Sequence, residues 1–189
     1  MQANLLWTGR EYYSLENCLV NMTNAGVSID SVIVGLHQDS LYRVDYKIET
    51  NSRWQTVSFE LGTQVFDEKK IHRFESNGTG KWTSEGKPCP QFDGCIDIDI
   101  PLTPFTNTLP IRRLSLGVGQ SEEIRVVYLD VLEKKFSAVR QKYQRLSERK
   151  YKYENVPNDF EAEIAVDDDG FVVDYPGLFV RTARKNTNY

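Results

Sequence analysis

Two aspartates alternate with isoleucines in residues 96–100, and their spacing could support chemistry. On an extended strand Asp97 and Asp99 lie on one face, roughly 7 Å apart. That separation overlaps the range of the paired carboxylates in inverting glycosidases, and the same pair could accept hydrogen bonds from sugar hydroxyls. Nothing in the sequence predicts the raised pKa that a general acid needs. A solvated acidic face, a sugar-binding surface and a catalytic pair therefore all stay open.

A segment stiffened by two prolines follows the aspartates. Between Pro104 and Pro110 the backbone has little freedom, so the hydroxyl of Thr106 and the amide of Asn107 are held near each other. We therefore expect these groups to contribute to a polar cluster that contacts a ligand.

Two arginines begin the next predicted strand, residues 111–118. On a strand, Arg112 and Arg113 point to opposite faces, so at least one guanidinium should be directed inward. A buried guanidinium needs an acidic partner, and Asp97 or Asp99 is the candidate. The sequence therefore predicts an ion pair, either as part of a ligand site or as a buried structural network.

Most other catalytic and metal-binding motifs are missing from the sequence. The two histidines do not form an H-x-x-x-H pattern, the three cysteines show no C-x-x-C spacing, and there is no G-x-S-x-G motif. We therefore expect no metal and no cofactor. A formal charge of −4 argues against nucleic acid as a partner. The odd cysteine count and the lack of a visible signal peptide predict a cytoplasmic protein.

The elements that would carry these residues are strands. A length of 189 residues predicts one domain, residues 1–189. Apolar and polar residues alternate with a period of two, and turn residues recur about every ten positions, which is typical of an all-β sandwich or barrel. The predicted strands cover residues 41–49, 54–61, 96–100, 111–118, 124–132, 160–166 and 171–175.

One segment shows a helical spacing instead. Apolar residues follow steps of four, three, four and three from Leu132 to Leu146, which predicts a short helix near residues 134–146. Residues 134–152 are also strongly basic, whereas residues 154–174 are acidic. The two segments could neutralise each other as solvated faces, or the basic one could make peripheral contact with an anionic membrane.

Several motifs in order along the chain resemble one known family. They are Tyr42-Arg43-Val44-Asp45 followed by Trp54, Gly94–Asp99, Thr103–Leu114, Gln141-x-Tyr143, and Gly170–Pro176 after Val166-Asp167. Together they are similar to the "putative glycolipid-binding" family of bacterial proteins, long catalogued as a domain of unknown function. The resemblance implies a curved, mainly antiparallel sheet that forms an incomplete β-barrel, similar to the bacterial lipoprotein-localisation carriers.

The resemblance implies a non-catalytic protein that holds an amphiphile, a glycolipid or fatty-acyl compound, in a half-open barrel. Apolar positions such as Val44, Ile98, Leu114 and Val126 would contact the hydrophobic part of the ligand. Two alternatives stay open: a carbohydrate-active hydrolase that uses Asp97 and Asp99, and a structural or interaction domain with a buried salt-bridge network. The motif positions taken as ligand-binding candidates are Tyr42, Arg43, Asp45, Trp54, Asp97, Asp99, Thr106, Asn107, Arg112, Arg113, Tyr143 and Tyr175.

Overall fold

The structure is a computed structural model that describes residues 1–65 and 68–187. Over those residues the chain forms fifteen strands, one α-helix and two short 3-10 helices. The helix α1 spans Thr108–Leu114, and the 3-10 helices span Pro90–Phe92 and Phe105–Asn107. The strands are β1 (Gln2–Gly9), β2 (Ser14–Met22), β3 (Gly26–His37), β4 (Ser40–Asn51), β5 (Thr56–Val65), β6 (Glu68–Ser76), β7 (Trp82–Ser84), β8 (Lys87–Pro88), β9 (Asp97–Asp99), β10 (Ser121–Asp130), β11 (Lys135–Ser147), β12 (Lys150–Val156), β13 (Glu161–Val166), β14 (Val172–Tyr175) and β15 (Phe179–Thr187).

All of these strands belong to a single sheet. Its order is β8-β7-β6-β5-β4-β3-β2-β1-β15-β14-β13-β12-β11-β10-β9. Neighbouring strands are antiparallel except β9, which runs parallel to β10. β8 and β9 form the two edges, so the described part of the sheet does not close into a barrel. The prediction of an all-β, mainly antiparallel sheet is confirmed.

The period-two pattern places one face of each strand in the interior. In β4 the alternation predicted from the sequence is reproduced, because every second side chain is buried and the intervening ones face outward. The buried residues of this strand include Tyr42, Val44, Tyr46 and Ile48. The predicted strands at 124–132, 160–166 and 171–175 correspond to β10, β13 and β14.

The chain between β8 and β10 covers the buried face of the sheet. Phe92, Leu102 and Phe105 lie in one hydrophobic cluster with residues of β1 to β6. Trp82 on β7 donates its indole N–H to the carbonyl of Cys95, 2.7 Å away. This segment packs against the inner face of the sheet, where the half-open barrel was expected to offer a hollow to a ligand.

Three of the four apolar positions expected to contact ligand are buried in the core and Leu114 is half-buried, while their contact with a ligand stays a prediction. Val44 and Ile98 belong to the same cluster as the covering segment. Val126 is buried in a second cluster that Leu114 packs against, beside β12 and β13. Alternating apolar residues show that one face of a strand is buried, but they do not show what buries it. Here the face is covered by the protein's own chain, which produces the same sequence pattern as a bound ligand would.

The helix lies at α1, whereas the sequence predicted it near residues 134–146. Those residues form β11, which pairs with β10 on one side and β12 on the other. Both flanking partners supply hydrogen bonds along the strand, so tertiary pairing overrides the helical spacing of the apolar residues. Within β11, Gln141 and Tyr143 are the buried residues.

The strand predicted for residues 111–118 is also wrong. Residues 108–114 are helical, and Pro110 fits the first turn of α1, where its missing N–H has no intrahelical partner to lose. Leu109 and Ile111 are buried, which anchors the helix. Ser115 follows with φ of 49° and ends it in the left-handed region.

Trp54 also departs from its predicted strand. The strand expected at 54–61 begins at Thr56, and Trp54 lies in the preceding turn with φ of 63°. A bulky residue in this backbone region is an outlier that the surrounding contacts must maintain. Among the described residues, no helix has the length and apolar character needed to cross a membrane.

Candidate functional site

A cleft of about 520 Å³ remains open at one side of the covered sheet. Strands β9 to β12, β14 and β15 contribute to its walls, together with the loops that follow β1, β9, β12 and β14. The apolar side chains of the lining include Val139, Val156, Phe160, Leu178 and Phe179. The polar ones include Asp99, Asn107, Tyr128, Tyr153 and Tyr175, and the rings of Tyr153 and Tyr175 pack beside Phe160. The cleft therefore offers both apolar surface and hydrogen-bonding groups to one ligand.

Asp99 is a carboxylate of the cleft lining held by two neighbouring donors. Gln141 Nε2 donates to its Oδ2 at 2.6 Å, and the Thr106 hydroxyl donates to its Oδ1 at 3.0 Å. Burial raises the pKa of Asp99, and these two hydrogen bonds oppose that rise. The neighbouring donors fix the carboxylate in one orientation, so it is positioned to accept a hydrogen bond from a ligand.

Tyrosines form much of the remaining polar lining. The Tyr153 hydroxyl donates to Asn155 Oδ1 at 2.7 Å, and its ring packs edge-on against Tyr143 with centroids 5.4 Å apart. Burial raises the pKa values of Tyr153, Tyr175 and Tyr128, and the charge of Asp99 raises them further. All three hydroxyls are therefore neutral at physiological pH; Tyr153 donates its proton to Asn155, and Tyr128 and Tyr175 can donate theirs to a ligand.

Behind the cleft lies the ion pair predicted from the sequence. Arg113, on α1, donates from Nε to both oxygens of Asp97 at 3.0 Å and from Nη2 to Oδ2 at 2.6 Å. The Asp97 side chain is fully buried and that of Arg113 is 14% exposed. The two aspartates therefore differ in role: Asp97 is held in the interior by Arg113, and Asp99 faces the cleft.

Asn107 connects this interior to the cleft. The Tyr143 hydroxyl donates to Asn107 Oδ1 at 2.9 Å, and the Asn107 amide donates to the carbonyl of Pro104 at 3.3 Å. The proline-flanked segment thus holds Thr106 and Asn107 close together, as predicted, within a buried 3-10 helix.

Comparison with known proteins places the chain in a family. A family described as "Putative glycolipid-binding" matches residues 4–181. The chain belongs to this family. It is also similar to the crystal structure of a DUF1089 family protein from Pseudomonas aeruginosa, with a TM-score of 0.81 and 34% sequence identity over 88% of this chain and 91% of that one. No match was found among curated proteins.

The family motifs are not gathered at one place. Asp99, Asn107 and Tyr175 line the cleft, while Thr106 and Tyr143 lie one hydrogen bond behind it and the Asp97–Arg113 pair is deeper. The other five motif residues lie outside this cleft, and these are Tyr42, Arg43, Asp45, Trp54 and Arg112.

Those five residues occupy two other surfaces. Tyr42 and Arg43 line an exposed apolar groove, and Arg43 pairs with Asp45 at the surface with 2.6 Å between Nη2 and Oδ1. Arg112 lies over the Trp54 ring, 5.2 Å from its centroid, in a separate polar cleft. Arg112 and Arg113 diverge because successive residues of a helix point about 100° apart, and not because they occupy a strand.

Several cleft residues escaped the sequence analysis. Tyr128, Tyr153, Phe160 and Phe179 belong to no catalytic or binding motif, and they come together only through the order of the strands. The alternation of Tyr151 and Tyr153 in β12 predicts that both share a face, but it does not show which space they border.

A buried glutamate was also missed. Glu16 on β2 is 2% exposed, and its Oε1 accepts hydrogen bonds from the hydroxyls of Ser31 at 2.8 Å, Tyr46 at 2.6 Å and Thr103 at 2.9 Å. Its Oε2 has no partner within the described residues. Burial raises the pKa of Glu16 to about 7, against the opposing effect of the three hydrogen bonds. Glu16 links β2, β3 and β4 to the covering segment.

Carboxylates pair with many of the cations in the basic segment, residues 134–152. Arg140 contacts Glu123 at 3.0 Å, and Lys152 contacts Glu161 at 3.0 Å. This is the mutual neutralisation expected of two solvated faces, while contact with an anionic membrane stays a prediction. Within residues 1–65 and 68–187 no group of three or more His, Cys, Asp or Glu side chains is arranged to hold a metal ion.

Proposed function

We propose that this protein binds an amphiphile with a hydroxylated, uncharged head in the 520 Å³ cleft and carries out no chemistry on it. The proposal is supported chiefly by a cleft lining that combines apolar side chains with hydrogen-bonding groups. A cleft of this size falls within the roughly 300–1,000 Å³ of small-molecule sites. The family description, which refers to glycolipid binding, is consistent with such a ligand.

The apolar side chains suit an alkyl or acyl chain. Phe160 and Phe179 present aromatic faces, and Val139 and Leu178 add aliphatic surface. Burying a methylene stabilises a complex by about 0.8 kcal/mol, so several methylenes would supply most of a micromolar affinity before the costs of binding are deducted.

The polar side chains favour a neutral head over an anionic one. Three carboxylates, Glu11, Asp99 and Asp159, line the cleft, against the single guanidinium of Arg140. This excess of negative charge disfavours a carboxylate or phosphate head. Asp99, Asn107 and the tyrosine hydroxyls offer acceptors and donors to sugar hydroxyls, and the tyrosine rings offer the apolar faces on which sugars pack.

The hydrolase alternative has less support, because it needs two carboxylates that both reach the substrate. Asp97 is fully buried and bound by Arg113, and it is not part of the cleft lining, so only Asp99 is available there. The alternative of a buried salt-bridge network describes this ion pair well. It is compatible with binding, since the pair lies behind the cleft and supports the strand that carries Asp99.

Calorimetric titration with three probes of equal chain length tests the proposal. Dodecyl maltoside has a neutral sugar head, dodecanoate an anionic head and dodecyltrimethylammonium a cationic head, and each is used below its micelle-forming concentration. We expect saturable binding of dodecyl maltoside and weaker binding of dodecanoate. The affinity of dodecyltrimethylammonium shows how much of the difference in affinity between dodecyl maltoside and dodecanoate comes from the charge of the head.

Two variants locate the binding. Asp99→Asn should weaken maltoside binding and reduce the discrimination against dodecanoate, because it removes a negative charge from the cleft. Asp45→Asn removes a surface carboxylate outside the cleft and should leave both affinities unchanged. Absence of saturable maltoside binding, or an equal response to the two variants, would refute the proposal.

A further inference from the structure

A second cleft, of about 530 Å³, lies beside the turn after β4 and the end of α1. It shares no lining residue with the first cleft and has a mainly polar wall. Its lining includes Ser52, Trp54, Arg112, Ser115, Arg145 and Tyr151. The two arginines and the two aromatic rings give it a chemistry different from that of the amphiphilic cleft.

Arg112 contributes an unpaired positive charge. No carboxylate lies within ion-pair distance of its guanidinium in the part of the chain that the structure describes, and the group rests instead over the indole of Trp54. Gly170 permits this placement, because a Cβ at that position would come within 2.9 Å of Arg112 Cδ. The left-handed turn at Trp54, with φ of 63°, places the indole beneath the guanidinium.

Arg145 contributes a second guanidinium, held by neutral groups. Its Nε donates to the carbonyl of Ser147 at 3.2 Å, its Nη1 to that of Leu116 at 2.9 Å and its Nη2 to that of Glu148 at 3.0 Å. An arginine has five N–H donors, so two stay available. Three backbone carbonyls orient the group but leave its charge unbalanced.

The acids at the edge of this cleft are largely engaged elsewhere. Asp168 pairs with Arg149 at 2.8 Å, and Asp167 pairs with both Arg181 and Arg184. Glu148 is the remaining carboxylate of the lining. The cleft thus holds two guanidiniums without ion-pair partners, two carboxylates that pair with other arginines, and Glu148.

The field of both arginines reaches Tyr151. Its ring lies 5.8 Å below the Arg145 guanidinium. Burial raises the pKa of the Tyr151 hydroxyl, and the positive charges of Arg145 and Arg112 oppose that rise. The two charges thus act on one hydroxyl in the same cleft.

We propose that this second cleft binds a small oxyanion, the phosphate or carboxylate group of a compact polar molecule, between Arg112 and Arg145. A planar guanidinium can donate two parallel hydrogen bonds to two oxygens of such a group. The hydroxyls of Ser52, Ser115 and Tyr151 are further donors in the lining. The two guanidiniums without ion-pair partners give this cleft a set of donors that the amphiphilic cleft lacks, so the two sites would select different kinds of ligand.

Calorimetric titration with inorganic phosphate, glucose 6-phosphate and glucuronate tests this site on the full chain. The first probe reports the bare anion, and the other two report phosphate and carboxylate on a sugar. Arg112 is exposed, so Arg112→Gln should fold normally, which thermal unfolding verifies. Arg112→Lys keeps the charge without the planar pair of donors.

We expect Arg112→Gln to weaken binding of the best probe at least about tenfold, since the variant loses charge-assisted hydrogen bonds to the anion. Arg112→Lys should fall between wild type and Arg112→Gln. Lys87→Gln removes one positive charge outside the cleft and should have little effect. Failure of all three probes to bind at millimolar concentration would overturn the proposal, as would equal weakening by Arg112→Gln and Lys87→Gln. Neither result would bear on amphiphile binding in the first cleft.

Discussion

Replacing Glu16 by glutamine should change how the stability of this protein depends on pH. Glutamine keeps the shape of the side chain and an oxygen that can accept hydrogen bonds from Ser31, Tyr46 and Thr103, but it has no carboxyl group to ionise. The substitution therefore isolates the cost of placing a negative charge in the interior.

The size of the effect follows from the pKa of Glu16. Burial raises it from 4.5 to about 7, so the folded protein holds this proton more tightly than the unfolded chain does. Between these two values the folded state binds more protons, and the free energy of unfolding falls as pH rises. Each pKa unit corresponds to about 1.36 kcal/mol, which gives a loss of about 3 kcal/mol across the window.

Urea unfolding of wild type and Glu16→Gln, measured below pH 4.5 and above pH 7, gives this quantity as a difference. Relative to wild type, the variant should gain about 3 kcal/mol in unfolding free energy as pH rises through the window. Other buried acids, such as Asp97 and Asp99, contribute equally to both proteins and cancel. Glu75→Gln, at an exposed position, controls for the loss of a carboxylate. A constant difference between wild type and Glu16→Gln across the window would refute the reasoning.

Three further predictions concern separate parts of the molecule. Arg113→Met should lower the unfolding free energy by about 3–5 kcal/mol because it leaves Asp97 charged and unpaired, and adding Asp97→Leu should restore much of that loss in the same urea experiment. Phe160→Ala should weaken dodecyl maltoside binding by about 1–2 kcal/mol in calorimetry while changing thermal unfolding little, because this ring is 38% exposed at the edge of the cleft. Gln38→Asn combined with Asp39→Gly should raise the melting temperature, since both residues have positive φ in the β3–β4 turn and Asn-Gly is favoured there; an unchanged or lower value would contradict this.

The strands could be predicted from the sequence where one face is buried and the other is solvated. β4 shows this clearly, because Tyr42, Val44 and Tyr46 alternate with polar residues and the structure buries all three. β11 could not be predicted in the same way. Its side chains are mostly half-buried, so its hydrophobic pattern has no clean period, and its pairing with β10 and β12 is decided by residues far away in the chain.

The part of the candidate site that could be predicted from the sequence is the buried ion pair, because a buried charge must have a partner of opposite charge. A buried guanidinium needs an acid, and this requirement predicted that Arg112 or Arg113 pairs with Asp97 or Asp99; the structure shows the pair Arg113–Asp97, with Arg113 on a helix instead of the predicted strand. The position of the 520 Å³ cleft was not predictable. It depends on which part of the hollow the proline-flanked segment leaves open, and that is a property of packing in three dimensions rather than of any local spacing.

The pairing of β1 with β15 has a consequence for how the chain reaches its native form. Gln2 lies opposite Thr187 in the middle of the sheet, so the central ladder joins residues from opposite ends of the described chain. During synthesis, β1 to β8 emerge before β15, and the edge of β1 that faces β15 stays without its native partner until β15 has been made. An unpaired edge of this kind readily joins the strands of other molecules. We expect the nascent protein to depend on rapid synthesis of β15 or on a chaperone that shields this edge.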